Sequence, residues 1–221
     1  MDRREALRQL ALLTGGALSL STVAGVLGGC RAGSAPGTYR LQTLSTAQHE
    51  LVATIAERIL PETDTPGARA AGVPEFIDRM LTDWMYAAER EHFLRELARV
   101  DALAQERFGQ PFVQASEEQQ VQLLRELEEE ARHAEPQRVV IDRSTGQIVD
   151  GPDTSAEDMA RGRPPRTLTV ELRPFFRIMK ELTIVGYYTS EVGATQELQL
   201  NLVPGRYDAC VPYEQIGRAW A

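Results

Sequence analysis

Acidic side chains are the first residues of this chain that could do chemistry. Glu62, Asp64, Glu75 and Asp78 stand close together in the sequence. Paired carboxylates can exchange protons with a substrate, and together with a histidine they can hold a metal ion that activates water. A small metal-dependent hydrolase is therefore one hypothesis. Carboxylates in the first turn of a helix also complement the helix dipole without any catalytic role, and this structural interpretation is the stronger one.

The other residues that common catalytic and cofactor sites need are scarce. The three histidines, His49, His92 and His133, fall on three different predicted helices and lack the i, i+4 spacing of paired metal ligands. The sequence has no glycine-rich dinucleotide-binding or phosphate-binding motif and no haem attachment motif. Two cysteines are too few for an iron–sulfur cluster. We therefore expect no catalytic residue, metal or cofactor in this chain.

The N-terminal residues have a pattern that is typical of export, cleavage and lipid attachment. Arg3 and Arg4 precede a mildly apolar run over residues 10–27, and the sequence LGGC ends at Cys30. This pattern predicts a twin-arginine export signal over residues 1–29, cleaved before a lipid-carrying Cys30. An uncleaved anchor helix is the alternative. Either outcome predicts an exported protein on the periplasmic side of a membrane, and the first predicts a membrane-anchored lipoprotein.

The net charge of the chain and its second cysteine, Cys210, restrict the classes of partner it can bind. The formal net charge of −8 argues against nucleic acid and against a basic membrane-binding patch, so lipid on Cys30 would hold the protein at the bilayer. Lipidation would also leave no second cysteine for a disulfide within the chain. Cys210 then predicts either an intermolecular disulfide or a reduced thiol, and a buried inert thiol is an equally reasonable interpretation.

Helical periodicity dominates the remaining chain. Residues 30–43 are a small-residue tether, and a helical domain follows over residues 44–221. Capping-box patterns at Ser45 and Ser116 start two of the helices. A helix from Pro74 should turn Trp84 inward, and residues 64–67 (Asp64, Thr65, Pro66, Gly67) form a turn in which Asp64 bonds the backbone two residues on. A further helix starts at Pro174.

Residues 134–166 interrupt this pattern. Residues 138–142 and 147–150 flank a turn and predict a short β-hairpin, with a loop after it, in an insertion on the helical domain. The C-terminal segment is rich in turn residues. The fold class is therefore all-α, a compact helical domain of about five to six helices with a small β-hairpin insertion and a looped C-terminal segment.

Two aromatic pairs suggest a surface for a partner. Phe175-Phe176 and Tyr187-Tyr188 are adjacent residues on one predicted helix, and adjacent helical side chains point about 100° apart. Both members of a pair should not fit one small core, so we expect one of each to face a partner, as interface aromatics do. Tyr187, Tyr188 and Cys210 are the candidate partner contacts.

Three separated motifs carry a resemblance to a known family. They are residues 59–68 (ILPETDTPGA) with 71–78 (AGVPEFID), residues 175–193 (FFxxxK, then TxxGYYTSExG), and residues 203–212 (VPGRYDxCxP). In this order they resemble the gluconate 2-dehydrogenase subunit 3 family over roughly residues 44–212, except the 134–166 insertion. The twin-arginine leader is also similar to that family, whereas the lipid-attachment cysteine is a departure from its simplest members.

The resemblance implies a small non-catalytic subunit of a membrane-associated dehydrogenase. It implies a flavoprotein partner of the glucose–methanol–choline oxidoreductase type, which carries FAD and oxidises sugars, sugar acids or alcohols, and in some complexes a cytochrome c subunit. The small subunit's leader can carry a folded, signal-less flavoprotein across the membrane. The alternatives are a stand-alone lipoprotein scaffold and, more remotely, the metal-dependent hydrolase.

Overall fold

The computed structural model describes residues 39–203, 205 and 210–220, without the side chains of Tyr213 and Gln215. The predicted export arginines Arg3 and Arg4 and the predicted lipid attachment site Cys30 lie outside the described residues. The described residues from Leu41 onward form one folded unit. Among the described residues, no helix is both long and apolar enough to cross a membrane.

The described part of the chain is 55% helical and about 9% strand, which confirms the prediction of a mostly helical fold. Seven α-helices and two strands lie in the described residues: α1 (Thr46–Ile59), α2 (Val73–Asp83), α3 (Ala87–Phe108), α4 (Glu117–His133), β1 (Gln137–Asp142), α5 (Ser155–Ala160), β2 (Thr167–Leu172), α6 (Phe175–Tyr188) and α7 (Tyr213–Ile216). A 3-10 helix (Phe112–Gln114) precedes α4, and a π-helix (Gly193–Glu197) follows α6.

Local sequence signals set the ends of the helices. The Ser45 and Ser116 side chains accept the backbone N–H groups of Gln48 and Gln119, so both predicted capping boxes form. Gly109 ends α3 with a φ of 70°, in the left-handed region that glycine adopts without strain. These ends depend on residues a few positions apart, which is why the sequence alone predicts them well.

Helix α6 lies at the centre of the bundle and packs against α1, α2, α3 and α4. Both Phe175 and Phe176 are buried in the core, and Phe175 stacks at a tilt on Phe93 of α3. The expectation that one of the two would face a partner is therefore wrong. A helix surrounded by others buries side chains in several directions, so the 100° between neighbours does not expose either one.

Trp84 is a second correction, because it is 62% exposed and not inward. Helix α2 ends at Asp83, and Trp84 is its C-cap. Beyond the end of the helix the 3.6-residue period no longer sets the direction of a side chain. Leu81 and Met85 occupy the core on either side of it.

Strand β1 of the small antiparallel sheet pairs with a different segment from the one predicted. Strand β1 pairs with β2 in the register Gln137↔Leu172 to Asp142↔Thr167. The expected partner, residues 147–150, contributes one bridge from Ile148 to Ile141. Residues 151–166, expected to be a loop, contain α5. The extended β1–β2 ladder satisfies more backbone groups than a short hairpin could, and β2 begins just after the predicted end of the insertion.

The sheet packs on the start of α3. Ala88 donates its backbone N–H to the Gly146 carbonyl at 2.9 Å and packs with Ile141 and Val170. Gly146 has a φ of 71°, and a Cβ there would lie 2.7 Å from the Ala87 nitrogen, so only glycine fits this approach. The turn after β1 thus binds the first turn of α3 through a backbone hydrogen bond.

Two aspartates hold the segment between the strands. Asp153 accepts the Thr169 hydroxyl at 2.7 Å and the Ser155 backbone N–H at 2.8 Å, and these bonds to its charged form lower its pKa. Asp158 is buried, and the N–H of Arg166 lowers the pKa of its carboxyl. Both groups therefore favour the folded segment in their ionised form.

Candidate functional site: the turn between α1 and α2 and the end of α6

The first two family-like motifs meet in space. The turn after α1 lies against the C-terminal end of α6, where Tyr187 donates its hydroxyl to the Pro66 carbonyl at 3.0 Å. The Thr65 hydroxyl lies 3.1 Å from the same Tyr187 oxygen and donates to Glu197 of the π-helix at 3.3 Å. Segments more than a hundred residues apart are thus joined by a short polar network.

Glu57 shapes the turn from within α1. Its carboxylate accepts the backbone N–H of Glu62 at 3.0 Å and that of Arg69 at 2.9 Å. Gly67 is buried beside it, and a Cβ there would lie 2.6 Å from the Glu62 nitrogen and overlap the Glu57 carboxylate. The turn therefore closes around a carboxylate that leaves room only for glycine.

Asp64 makes a different bond from the predicted one. Its carboxylate accepts the Thr63 hydroxyl at 3.1 Å, and the Thr63 backbone N–H donates to the Thr65 carbonyl at 3.0 Å. The expectation that Asp64 bonds the backbone two residues on is not met. Asp64 is exposed, so its side chain lies on the outer side of the turn.

The two tyrosines of the motif have different environments. Tyr187 is only 4% exposed, whereas Tyr188 is half-buried and meets the Tyr187 ring edge-on with centroids 5.4 Å apart. Burial of Tyr187 and its bond to Pro66 argue against a direct partner contact there, and leave Tyr188 as the candidate. Cys210 is exposed.

The acidic residues that motivated an enzyme hypothesis have separate environments in the structure. Asp78 is fully buried and accepts three backbone N–H groups, those of Gln42 at 2.8 Å, Thr43 at 3.0 Å and Leu44 at 2.7 Å. Glu75 lies 3.3 Å from the His49 Nε2, without a hydrogen bond between them. Within the described residues, no three His, Cys, Asp or Glu side chains are grouped so that they could hold a metal ion.

Arg69 neutralises part of the acidic surface next to the turn. Its guanidinium donates two bonds of 3.0 Å to the Glu50 carboxylate, which lowers the pKa of Glu50 and raises that of Arg69. Because both groups are about half exposed, water screens this pair and its effect on stability is small.

The histidines lie on α1, α3 and α4, and each has its own surroundings. His92 lies 3.0 Å from the Arg173 carbonyl through Nε2, where α3 meets the chain entering α6. His133 pairs with Glu129 one turn earlier on α4, at 2.8 Å. These contacts are those of surface and connecting residues.

Sequence reasoning missed Glu57 and the true role of Asp78. One signal was available for Asp78, since it shares the buried face of α2 with Pro74, Ile77 and Leu81. A carboxylate at a buried helical position needs a specific partner. Nothing in the sequence identified that partner as the backbone of residues 42–44, which lies far from Asp78 along the chain.

Comparison with known proteins supports the family resemblance that the motifs of this site suggested. The sequence model of one family, described as gluconate 2-dehydrogenase subunit 3, matches residues 46–205. No curated protein and no solved structure gives a significant match to the chain. The matched range covers both sides of the turn, α6 and the π-helix, and it is well over half of the 221 residues. The chain therefore belongs to the gluconate 2-dehydrogenase subunit 3 family.

Proposed function

We propose that this protein is a non-catalytic accessory subunit that exports, matures or anchors a flavin-dependent dehydrogenase. The family match over residues 46–205 carries the proposal, because the family name identifies a subunit of gluconate 2-dehydrogenase. The site is consistent with this role. Its carboxylates bind backbone N–H groups and its hydroxyls bind neighbouring chain segments, which fastens helices together and leaves the oxidation chemistry to another subunit.

The partner in this proposal is a flavoprotein of the glucose–methanol–choline type that holds FAD and oxidises a sugar, a sugar acid or an alcohol. A cytochrome c subunit is a further candidate member of the complex. The experiment is co-purification. A tag placed in the tether, within residues 31–38, allows gentle recovery from solubilised membranes, and the visible spectrum and subunit masses are then recorded.

Flavin absorbance together with a second chain of flavoprotein size is the expected result. Haem absorbance would add the cytochrome. A colourless single chain recovered under several mild detergents would contradict the proposal and favour a stand-alone lipoprotein scaffold. Metal analysis of the same sample tests the hydrolase alternative, which requires a stoichiometric bound metal.

Export is tested at the N-terminus. In the proposal, Arg3 and Arg4 direct the folded complex to the twin-arginine route, so the double change Arg3→Lys, Arg4→Lys should retain the dehydrogenase activity in the cytoplasm. Arg8→Lys is the matched control, because it alters the same basic region outside the arginine pair. Equal export of both variants would contradict the twin-arginine assignment.

Anchoring is tested at Cys30. Acyl chains on this residue would hold the complex at the membrane, since an acidic chain gains little from anionic lipid. Cys30→Ser should abolish labelling by a fatty-acid analogue and leave the signal over residues 1–29 attached, because the cleavage pattern needs the cysteine. Equal labelling of the unaltered protein and Cys30→Ser would contradict lipidation at this residue.

A further inference from the structure

Residues 198–203 form a largely apolar segment whose second half is highly exposed. Leu202 is 84% exposed, Val203 is 81% exposed and Leu200 is 45% exposed. A single exposed leucine is ordinary, but several in succession are not, because each gains free energy when it leaves water. The run from 198 to 205 (LQLNLVPG) also contains no charged residue, in a chain in which 25% of the residues are charged.

The first two residues of this segment, Leu198 and Gln199, are hydrogen-bonded to the rest of the described chain. Leu198 donates its backbone N–H to the Gly193 carbonyl at 2.8 Å, and Gln199 donates to the Ala219 carbonyl at 2.8 Å. Gln199 also forms a parallel bridge with Trp220, whose side chain is 52% exposed. The segment therefore leaves the π-helix in a defined direction, next to the tyrosine network of the family-like motifs.

Beyond Leu198 and Gln199, the segment has few backbone hydrogen bonds to the rest of the described chain. Among the described residues, Leu200, Asn201 and Leu202 make no backbone–backbone hydrogen bond, and Val203 bonds only the Asn201 side chain, at 3.3 Å. The Asn201 side chain thus closes a turn with the N–H two residues on, and Leu202 and Val203 lie exposed at this bend, where apolar side chains gain from being covered by another protein.

We propose that residues 198–203 dock on an apolar surface of the dehydrogenase subunit. This inference rests on the proposed function, because it names that subunit as the occupant. The family match supports this occupant. The family match extends to residue 205 and so includes the whole apolar segment, and the family name denotes a subunit that works with a dehydrogenase.

The test uses the full chain with its tag in the tether, because a C-terminal tag would lie beside Trp220. The double variant Leu202→Gln, Val203→Thr keeps side-chain size but removes apolar contact area. Met159→Gln is the matched control, since Met159 of α5 is 61% exposed and lies on the insertion. Thermal unfolding should be the same in all three proteins, because the altered side chains are exposed.

The measured quantity is flavin recovered per tagged chain, with the dissociation constant of the re-bound dehydrogenase subunit. We expect the double variant to bind about tenfold more weakly or worse, and Met159→Gln to bind as the unaltered chain does. Equal binding by all three proteins would overturn the docking proposal and leave the accessory function standing. Failure of the unaltered chain to recover any flavoprotein would overturn both. A purified dimer that the double variant converts to a monomer would assign the segment to self-association and overturn the proposed occupant.

Discussion

Asp78 offers the sharpest test of how this fold is held together. The carboxylate is fully buried in α2 and accepts three backbone N–H groups from residues 42–44 at 2.7 to 3.0 Å. It therefore fixes the chain just before α1, at the C-terminal end of the predicted tether. Asp78→Ala removes all three bonds, and the Leu44 N–H is left buried without its acceptor.

The magnitude follows from the exposure of the three donors. A hydrogen bond to a charged group contributes roughly 1.5–3 kcal/mol, and a buried donor left unsatisfied costs about 1–3 kcal/mol. Gln42 is exposed and Thr43 is half-buried, so water replaces part of what they lose. We expect about 3–4 kcal/mol for Asp78→Ala, which is roughly 10 °C in melting temperature for a domain of this size.

Asp78→Asn separates the hydrogen bonds from the charge. An asparagine oxygen can still accept from Thr43 and Leu44, which share one carboxylate oxygen, while Gln42 loses its acceptor. The expected cost is about 1–2 kcal/mol, less than that of alanine. Asp83→Asn is the control, because Asp83 is exposed at the end of the same helix and should change stability by less than about 0.5 kcal/mol.

The assays are chemical denaturation for the free energy of unfolding and hydrogen exchange for the Leu44 amide. Asp78→Ala should reduce protection of that amide as well as global stability. An alanine variant within about 1 kcal/mol of the unaltered protein would refute the reasoning, since no surviving acceptor could account for it. An asparagine variant as unstable as alanine would show that the charge, and not the bond count, holds the segment.

Three further predictions concern the turn and the insertion. Gly67→Ala should cost about 1–3 kcal/mol in denaturation, because its Cβ meets the Glu57 carboxylate and the backbone beyond it. Tyr187→Phe should cost about 1 kcal/mol, since it keeps the ring but removes the hydroxyl that binds the turn. The Thr169 hydroxyl lowers the pKa of Asp153 from its ordinary value of 3.8, so the stabilising effect of the ionised carboxylate is complete above pH 3.8 and is lost as the pH falls through the lower folded pKa. Hydrogen exchange of the Thr169 amide should accelerate over that acid range. Asp153→Asn should remove this pH dependence.

Short-range patterns account for most of what was predictable in the fold. The apolar period of α1, α3 and α4, the serine caps at Ser45 and Ser116, and Gly109 after α3 each act within a few residues. The turn at residues 64–67 was also visible, because its residue types restrict the backbone directly. The motifs also located the candidate site, because each motif is a short stretch of the chain. They did not predict which residues of the site contact one another.

Contacts between segments that lie far apart in the chain were harder to predict from the sequence. The sheet is the plainest case, since residues 147–150 lie closer to β1 in sequence and carry a reasonable strand pattern. Strand β2 forms the ladder because it also supplies Val170, which packs with Ile141 and Ala88 against α3. Selection between two candidate strands depends on the surface they cover, and that surface belongs to another part of the chain.

The sequence by itself determined the helical class, the positions of the main helices and the family, because periodicity, caps and ordered motifs are properties of the chain. Only the tertiary structure decided what the polar residues do. Asp78 became the acceptor for a distant backbone segment, and Tyr187 became the partner of a turn 122 residues away. A carboxylate or hydroxyl has the same chemistry in any sequence, and its role is set by which donors and acceptors folding brings within about 3 Å of it.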